Sequence, residues 1–206
     1  MASIASTPDS GRRERVLAVA LEVFGRYGFR KTSMDEIARA ADISRQGLYL
    51  HFANKEALFR AAVRQELDTA VGDVSRCLTE EGVGLEQRVV AALDAWLGRY
   101  VGAMLGSDIG AMFLNPAMQL GDLVDPAIAA VDAHIAAAIA DAMRENDRRR
   151  LGVSPEEITE SLHTLTQGAR FLSESRGESR EDFVARLTAS ARVIFAGLGA
   201  AAKRTP

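Results

Sequence analysis

A chain of 206 residues has room for one large domain or two small ones, and 48% hydrophobic against 26% charged residues is the balance of a soluble globular protein. Only 6% of the residues are aromatic, five are proline and runs of β-branched residues are few, so helices are favoured over strands. A net charge of −3 excludes a chain that holds a polyanion by its overall charge, and the single cysteine, Cys77, excludes an intramolecular disulfide and suits a reducing compartment.

The first eleven residues are small and polar and predict a disordered arm, and Met1–Arg15 lacks the apolar stretch of a secretory signal. From Arg12, the residues Val16, Leu17, Ala20, Leu21 and Phe24 recur at the steps of one buried helical face, and Gly28 ends that helix. Ser33 with Glu36 three residues on is a capping-box pattern for a short helix reaching Ala41. Asp42-Ile43 is a tight break. Ser44 then caps a second short helix, with Leu48 and Phe52 on its inner side. Asn54 caps a long helix, about 54 to 80, with Glu56 in its positive first turn and Leu58, Phe59, Ala62, Val63, Leu67, Val71, Val74 and Leu78 spaced for burial. Gly82 and Gly84 mark a loop before a helix over 85–105. The stretch 106–125, which holds Asn115-Pro116, is less regular. Asp125-Pro126 reads as the start of a helix that ends near Arg150. Its apolar run over 127–143 is interrupted by Asp132, His134 and Asp141, so no membrane span is expected and the cytoplasm is the expected location. Ser154, Pro155 and Glu157 open the next helix, and Ser179 with Asp182 opens the last, to about Ala202. About nine helices and no strands define an all-α fold.

Charge is unevenly spread. Residues 10–60 hold ten Lys and Arg against six Asp and Glu, so a basic front end precedes an acidic body, the distribution expected where one end meets phosphate. Two short capped helices joined by a sharp corner read as a helix-turn-helix, whose second helix enters the major groove. The outer side of that helix, opened by Ser44, carries Arg45, Gln46, Tyr49 and His51. Arginine bonds guanine bidentately and glutamine bonds adenine. Gly47 lets the backbone approach DNA closely, and Lys55 at the next helix start suits a phosphate.

The run Leu21-Glu-Val-Phe-Gly-Arg-Tyr-Gly-Phe-Arg-Lys-Thr-Ser-Met-Asp-Glu-Ile-Ala resembles the DNA-binding domain of the TetR/AcrR family of bacterial transcriptional regulators. Ala40-Ala-Asp-Ile-Ser-Arg-Gln-Gly-Leu-Tyr-Leu-His-Phe and Asn54-Lys-Glu-Ala-Leu-Phe continue the resemblance. It implies that Ser33 and Lys55 contact phosphate, that Tyr49 contacts the DNA backbone, and that Arg45, Gln46 and His51 lie on the recognition helix. The family commonly has threonine where this chain has Gly47, so one hydroxyl contact is missing. The implied architecture is an N-terminal three-helix helix-turn-helix domain over 12–57, followed by a larger helical ligand-binding and dimerisation domain over 58–206. The implied partner is a double-stranded DNA operator.

In that larger region, Trp96 and Tyr100 are four residues apart with Met104 a turn further on; Met112, Phe113, Met118 and Phe171 join them as candidate lining of an apolar cavity. Asn115, His134, His163 and Gln167 are the polar candidates to orient a small hydrophobic or aromatic effector. Ordinary core or surface is the competing reading of each. Leu162, Leu165, Ala169 and Leu172 form one stripe and Phe183, Leu187, Ile194 and Leu198 another, which together can build a four-helix bundle across the two-fold axis of a homodimer; intramolecular packing competes for either stripe alone. The three histidines stand far apart, Cys77 stands alone, and no glycine-rich phosphate loop or Gly-x-Ser-x-Gly elbow is present, so no metal, cofactor or catalytic centre is expected. The expected function is a homodimeric repressor released from its operator by the effector. The alternatives are an activator, a regulator without ligand control, or a helical small-molecule-binding protein or enzyme without DNA function.

Overall fold

The computed structural model describes residues 8–101, 120–143 and 152–203. Among them are eight α-helices and no strand: α1 (Pro8–Tyr27), α2 (Met34–Ala40), α3 (Arg45–His51), α4 (Lys55–Leu78), α5 (Leu85–Leu97), α6 (Gly121–Ala142), α7 (Pro155–Arg176) and α8 (Arg180–Lys203). A 3-10 turn, Gly98–Tyr100, follows α5. The described residues form two compact units, 8–69 with 120–124 and 70–101 with 125–203, and α4 runs from the first into the second.

The first unit is organised by the periodic apolar faces of α1 and α4. Leu17, Ala20 and Phe24 of α1, Ile37 of α2, Leu48 of α3 and Leu58, Phe59 and Val63 of α4 are all essentially removed from solvent. The Phe24 and Phe59 rings meet edge to face at 5.1 Å, an arrangement that aromatic quadrupoles favour, and Phe29 packs on both. Gly28, at φ +79°, closes α1. Ser33 and Glu36 form the full capping box: the Glu36 N–H donates to Ser33 Oγ and the Ser33 N–H to Glu36 Oε2. The α2–α3 corner is made at Asp42, whose φ of 52° lies in the left-handed region, and the Ile43 N–H reaches back to the Ala38 carbonyl at 3.0 Å. Asn54 Oδ1 accepts from the Ala57 N–H and starts α4.

In the second unit α8 packs on both α7 and α5. Ser154, Glu157 and Pro155 open α7 with a complete capping box and a first-position proline, and Gly177 (φ +63°) ends it. Arg180 at the start of α8 grips the Asp94 carboxylate of α5 through two bonds of 3.0 and 2.8 Å. Glu178, between α7 and α8, accepts both from the buried Ser173 hydroxyl and from Arg186.

Several expected boundaries move. The N-terminal arm is shorter, because α1 already begins at Pro8 and residues 1–7 lie outside the described set. The helix expected over 85–105 stops at Leu97: Gly98 is a poor helix former, the chain tightens into a 3-10 turn, and Val101 is extended. Trp96 and Tyr100 therefore do not share a continuous α-helical face. Helix α6 begins at Gly121, not at Asp125-Pro126. The buried Leu120 and Leu123 anchor its first turn, Leu120 accepts from the Leu123 and Val124 N–H groups, and Pro126 sits inside the helix. By length and composition α6 is apolar enough to cross a membrane. Its buried positions in the second unit are Ala127, Val131, Ile135 and Ile139, and Asp125, Asp132, His134 and Asp141 stand among the others. Met104, Met112, Phe113, Asn115, Pro116 and Met118, and the basic run Arg148–Arg150, lie outside the described residues.

Candidate nucleic-acid interface

Helix α3 presents the site. Its single buried residue, Leu48, together with the C-cap Phe52, fixes the helix to the first unit's core and leaves Arg45, Gln46, Tyr49, Leu50 and His51 exposed. The Ser44 hydroxyl is committed to the cap, accepting the Gly47 N–H at 3.0 Å. A Cβ at Gly47 would stand 3.1 Å from that hydroxyl oxygen, so glycine here also leaves the cap room. Arg45 is held on the surface. Its Nε and a terminal nitrogen each lie 3.0 Å from the two Asp35 oxygens of α2, and its guanidinium stacks over the Tyr49 ring at 5.6 Å. Both partners are well exposed, so the pair costs little to exchange for a phosphate or a guanine edge. Arg13 of α1 lies over the Phe52 ring at 5.5 Å and brings a second cation to the C-terminal end of α3.

Two sequence candidates have local work that competes with a DNA contact. Ser33 is engaged with Glu36, and its hydroxyl, donating to the carboxylate, holds the Glu36 pKa below the usual carboxylate value. Lys55 turns its ammonium back onto the loop after α1, donating to the Phe29 and Thr32 carbonyls at 2.8 Å each and lying 4.5 Å over the Phe29 ring. In the free protein Lys55 therefore holds that loop against the start of α4. The residues missed by sequence reasoning are Leu50, which the inward pattern Leu48–Phe52 places on the opposite side, and Asp35, which no spacing rule pairs with Arg45.

The described candidates for a ligand cavity do not line one interior space. Trp96 is buried and Tyr100 half-buried. His134 is exposed on α6 and Phe171 is 67% exposed on α7, so neither lines the interior of the unit. Gln167 lies on α7 beside His163 (3.4 Å between Nε2 atoms), and His163 Nδ1 meets Asp132 of α6 at 3.1 Å. Beside this pair, Ile128, Ala133, Ala136 and Thr159 line an open groove of about 570 Å³ between α6 and α7. Of the expected dimer stripes, Leu162, Ala169, Phe183 and Leu187 are buried within the chain, where α7 and α8 pack on each other and on α5. Leu165, Ile194 and Leu198 are half-buried and Leu172 is exposed. No cluster of three His, Cys, Asp or Glu side chains able to hold a metal occurs among the described residues.

A capped pair of short helices at a sharp corner, with a cation-bearing outer face on the second, is the geometry of a helix-turn-helix DNA-binding domain. Residues 16–62 match the family model described as bacterial regulatory proteins, tetR family. The match falls on the helix-turn-helix region of this chain. Over 59 residues the chain is 39% identical to the HTH-type transcriptional regulator RutR of Escherichia coli, a match covering 29% of this chain and 28% of RutR. Over 89 residues it is 36% identical to the HTH-type transcriptional activator FasR of Mycolicibacterium smegmatis, covering 43% of this chain and 40% of FasR. The aligned stretches thus span less than half the length of these relatives. The fold extends further. A crystal structure from Mesorhizobium loti assigned to the TetR family superposes with a TM-score of 0.70, covering 93% of this chain and 98% of that one, at 20% identity.

Proposed function

We propose that this protein is a DNA-binding transcriptional regulator, acting in the cytoplasm as a homodimer. The observation that carries the reading is α3: a short, capped helix anchored by Leu48 and Phe52, with Arg45, Gln46, Tyr49 and His51 on its free side, in a segment, 10–60, where ten Lys and Arg stand against six Asp and Glu. Phosphate contacts from Lys and Arg position such a domain, and base-edge contacts from Arg45 and Gln46 specify its site. The test is binding to duplex DNA across salt. Affinity falling steeply between about 50 and 200 mM salt supports the reading; no binding, or binding indifferent to salt, overturns it.

The dimer face we propose is the part of the α7–α8 pair left outside the core. On α7 it comprises Leu165, Gly168, Phe171 and Leu172, and on α8 Ala189, Val193 and Gly197. Phe171 and Val193 are 67% and 73% exposed, and a Cβ at Gly168 or Gly197 would meet nothing, so no contact among the described residues accounts for these glycines. Small residues among large apolar ones allow two helix pairs to approach closely across a two-fold axis. Two copies of α3 then face successive major grooves, about 34–36 Å apart.

Repression relieved by a small hydrophobic or aromatic effector is the mode we propose. The relatives include a named activator (FasR) and a named repressor, Rv1474c of Mycobacterium tuberculosis, 31% identical over 90 residues that cover 43% of this chain and 46% of Rv1474c. The α6–α7 groove is the candidate effector site: Ile128, Ala133 and Ala136 supply its apolar surface, and the Asp132–His163 pair, with Glu156, Glu160, Thr159 and Thr164, its polar one. An effector acts only through the difference in its affinity for the DNA-bound and released forms.

A further inference from the structure

Helix α3 is held to its unit by Leu48 and Phe52, both nearly free of solvent contact. Leu50 falls two residues after the first and two before the second. At about 100° per residue it is roughly half a turn from each and points straight away from the core. It is 79% exposed, the most exposed large apolar side chain among the described residues. Its neighbours on that outermost strip are Gln46 and Gly47, while Arg45 lies toward the edge, tied to Asp35 and stacked on Tyr49. A lone exposed leucine on an ordinary helix needs no explanation. Here it occupies the centre of a surface otherwise made of hydrogen-bonding and cationic groups, and Gly47 beside it removes the side chain that would hold the helix axis off a partner.

Resting on the regulator reading above, we propose that Leu50 is a specificity-determining residue that reads the C5-methyl group of a thymine in the major groove, next to the base bonded by Gln46. The chemistry fits one partner. Guanine and adenine present polar atoms in the major groove, and cytosine an amino donor beside a bare C5–H, so a leucine there either strands a desolvated polar group or makes no methyl contact. Thymine alone offers a methyl, so an apolar side chain there selects it over the other three bases. Gln46, one turn back on the same strip, is the partner for adenine. The strip therefore reads a short A·T-containing step, with Gly47 allowing the close approach that a methyl–methyl contact requires.

The experiment uses the full-length protein and a duplex selected from a random pool. Each thymine of the selected site is replaced in turn by deoxyuridine, which lacks only the methyl, and binding of the wild type and of Leu50→Ala is compared at one salt concentration. Leu50 is exposed, so Leu50→Ala should fold as the wild type does, checked by an unchanged melting temperature. The expected result is one thymine per half-site at which deoxyuridine weakens the wild type about fourfold, roughly the worth of one buried methyl. Leu50→Ala should bind the thymine and deoxyuridine duplexes equally. Leu50→Gln should lose the thymine preference in a repeat selection. A wild type indifferent to every such replacement, or a Leu50→Ala variant as sensitive as the wild type at the same position, overturns the proposal and leaves the regulator reading standing. Failure to select any duplex overturns both.

Discussion

Single side chains decide how α3 meets its target and how its corner is made. Arg45 and Gln46 stand exposed on α3, where the proposed reading has them meet base edges, whereas Lys55 serves the loop at Phe29 and Thr32. Arg45→Ala and Gln46→Ala should each relax preference at particular base pairs, with a bidentate contact worth about 1–3 kcal/mol. Lys55→Ala should lower stability, because two carbonyls lose a charged donor, and weaken binding to all sequences by a similar factor. Selection from a random pool and thermal unfolding separate the two classes; unchanged base preference in both Arg45→Ala and Gln46→Ala would remove α3 from the recognition role. At the corner, Asp42 holds a positive φ that few residues accept. Asp42→Gly should leave stability equal or higher, while Asp42→Val should cost about 1–2 kcal/mol, measured by denaturant unfolding.

Among the elements, the α7–α8 pair has two faces with different consequences. Leu162 lies wholly in the core, so Leu162→Glu should unfold the second unit and not merely dissociate it. Phe171→Glu or Val193→Glu places the charge on the outer face and should give folded monomers with weakened DNA binding, seen together by sedimentation and circular dichroism. A variant of either that stays dimeric would show that the interface lies elsewhere. The junction between the two helices has its own pH dependence. Hydrogen bonds from Arg186, above all, and from Ser173 hold the Glu178 pKa below the usual carboxylate value. A carboxylate whose pKa is depressed by folding contributes stability above its unfolded value and loses it as pH falls through the folded one. Melting temperature should therefore drop as pH falls below about 4.5, and Glu178→Gln should flatten that part of the curve.

For the whole molecule, the regulatory reading requires that a ligand in the second unit changes DNA binding by the first. Helices α4 and α6 each run from one unit into the other and are continuous elements available to carry such an effect. Small hydrophobic compounds that release bound duplex should lose that effect in Ala136→Trp, which fills the α6–α7 groove from a partly exposed position and leaves DNA binding intact. Release from Ala136→Trp at the wild-type concentration would place the effector somewhere other than this groove.

The short-range features of this protein were legible in the residues alone. Ser33–Glu36, Ser44, Asn54, Ser154-Pro155 and Gly28 mark helix ends because a cap is a contact between residues two to four apart, and the buried faces of α1 and α4 follow from a period the chain repeats. The run through α2, α3 and the start of α4 carries its family in its own letters for the same reason. What the sequence left open needs contacts made at a distance. Arg45 rests on Asp35 and Lys55 on Phe29, pairs that no periodicity encodes. The stripes on α7 and α8 each looked like an interface, and only the packing of the folded second unit turns Leu162, Phe183 and Leu187 inward and leaves Phe171 and Val193 outside. An amphipathic pattern states that a face will be buried; which partner buries it is settled by the competition among all the faces in the folded chain.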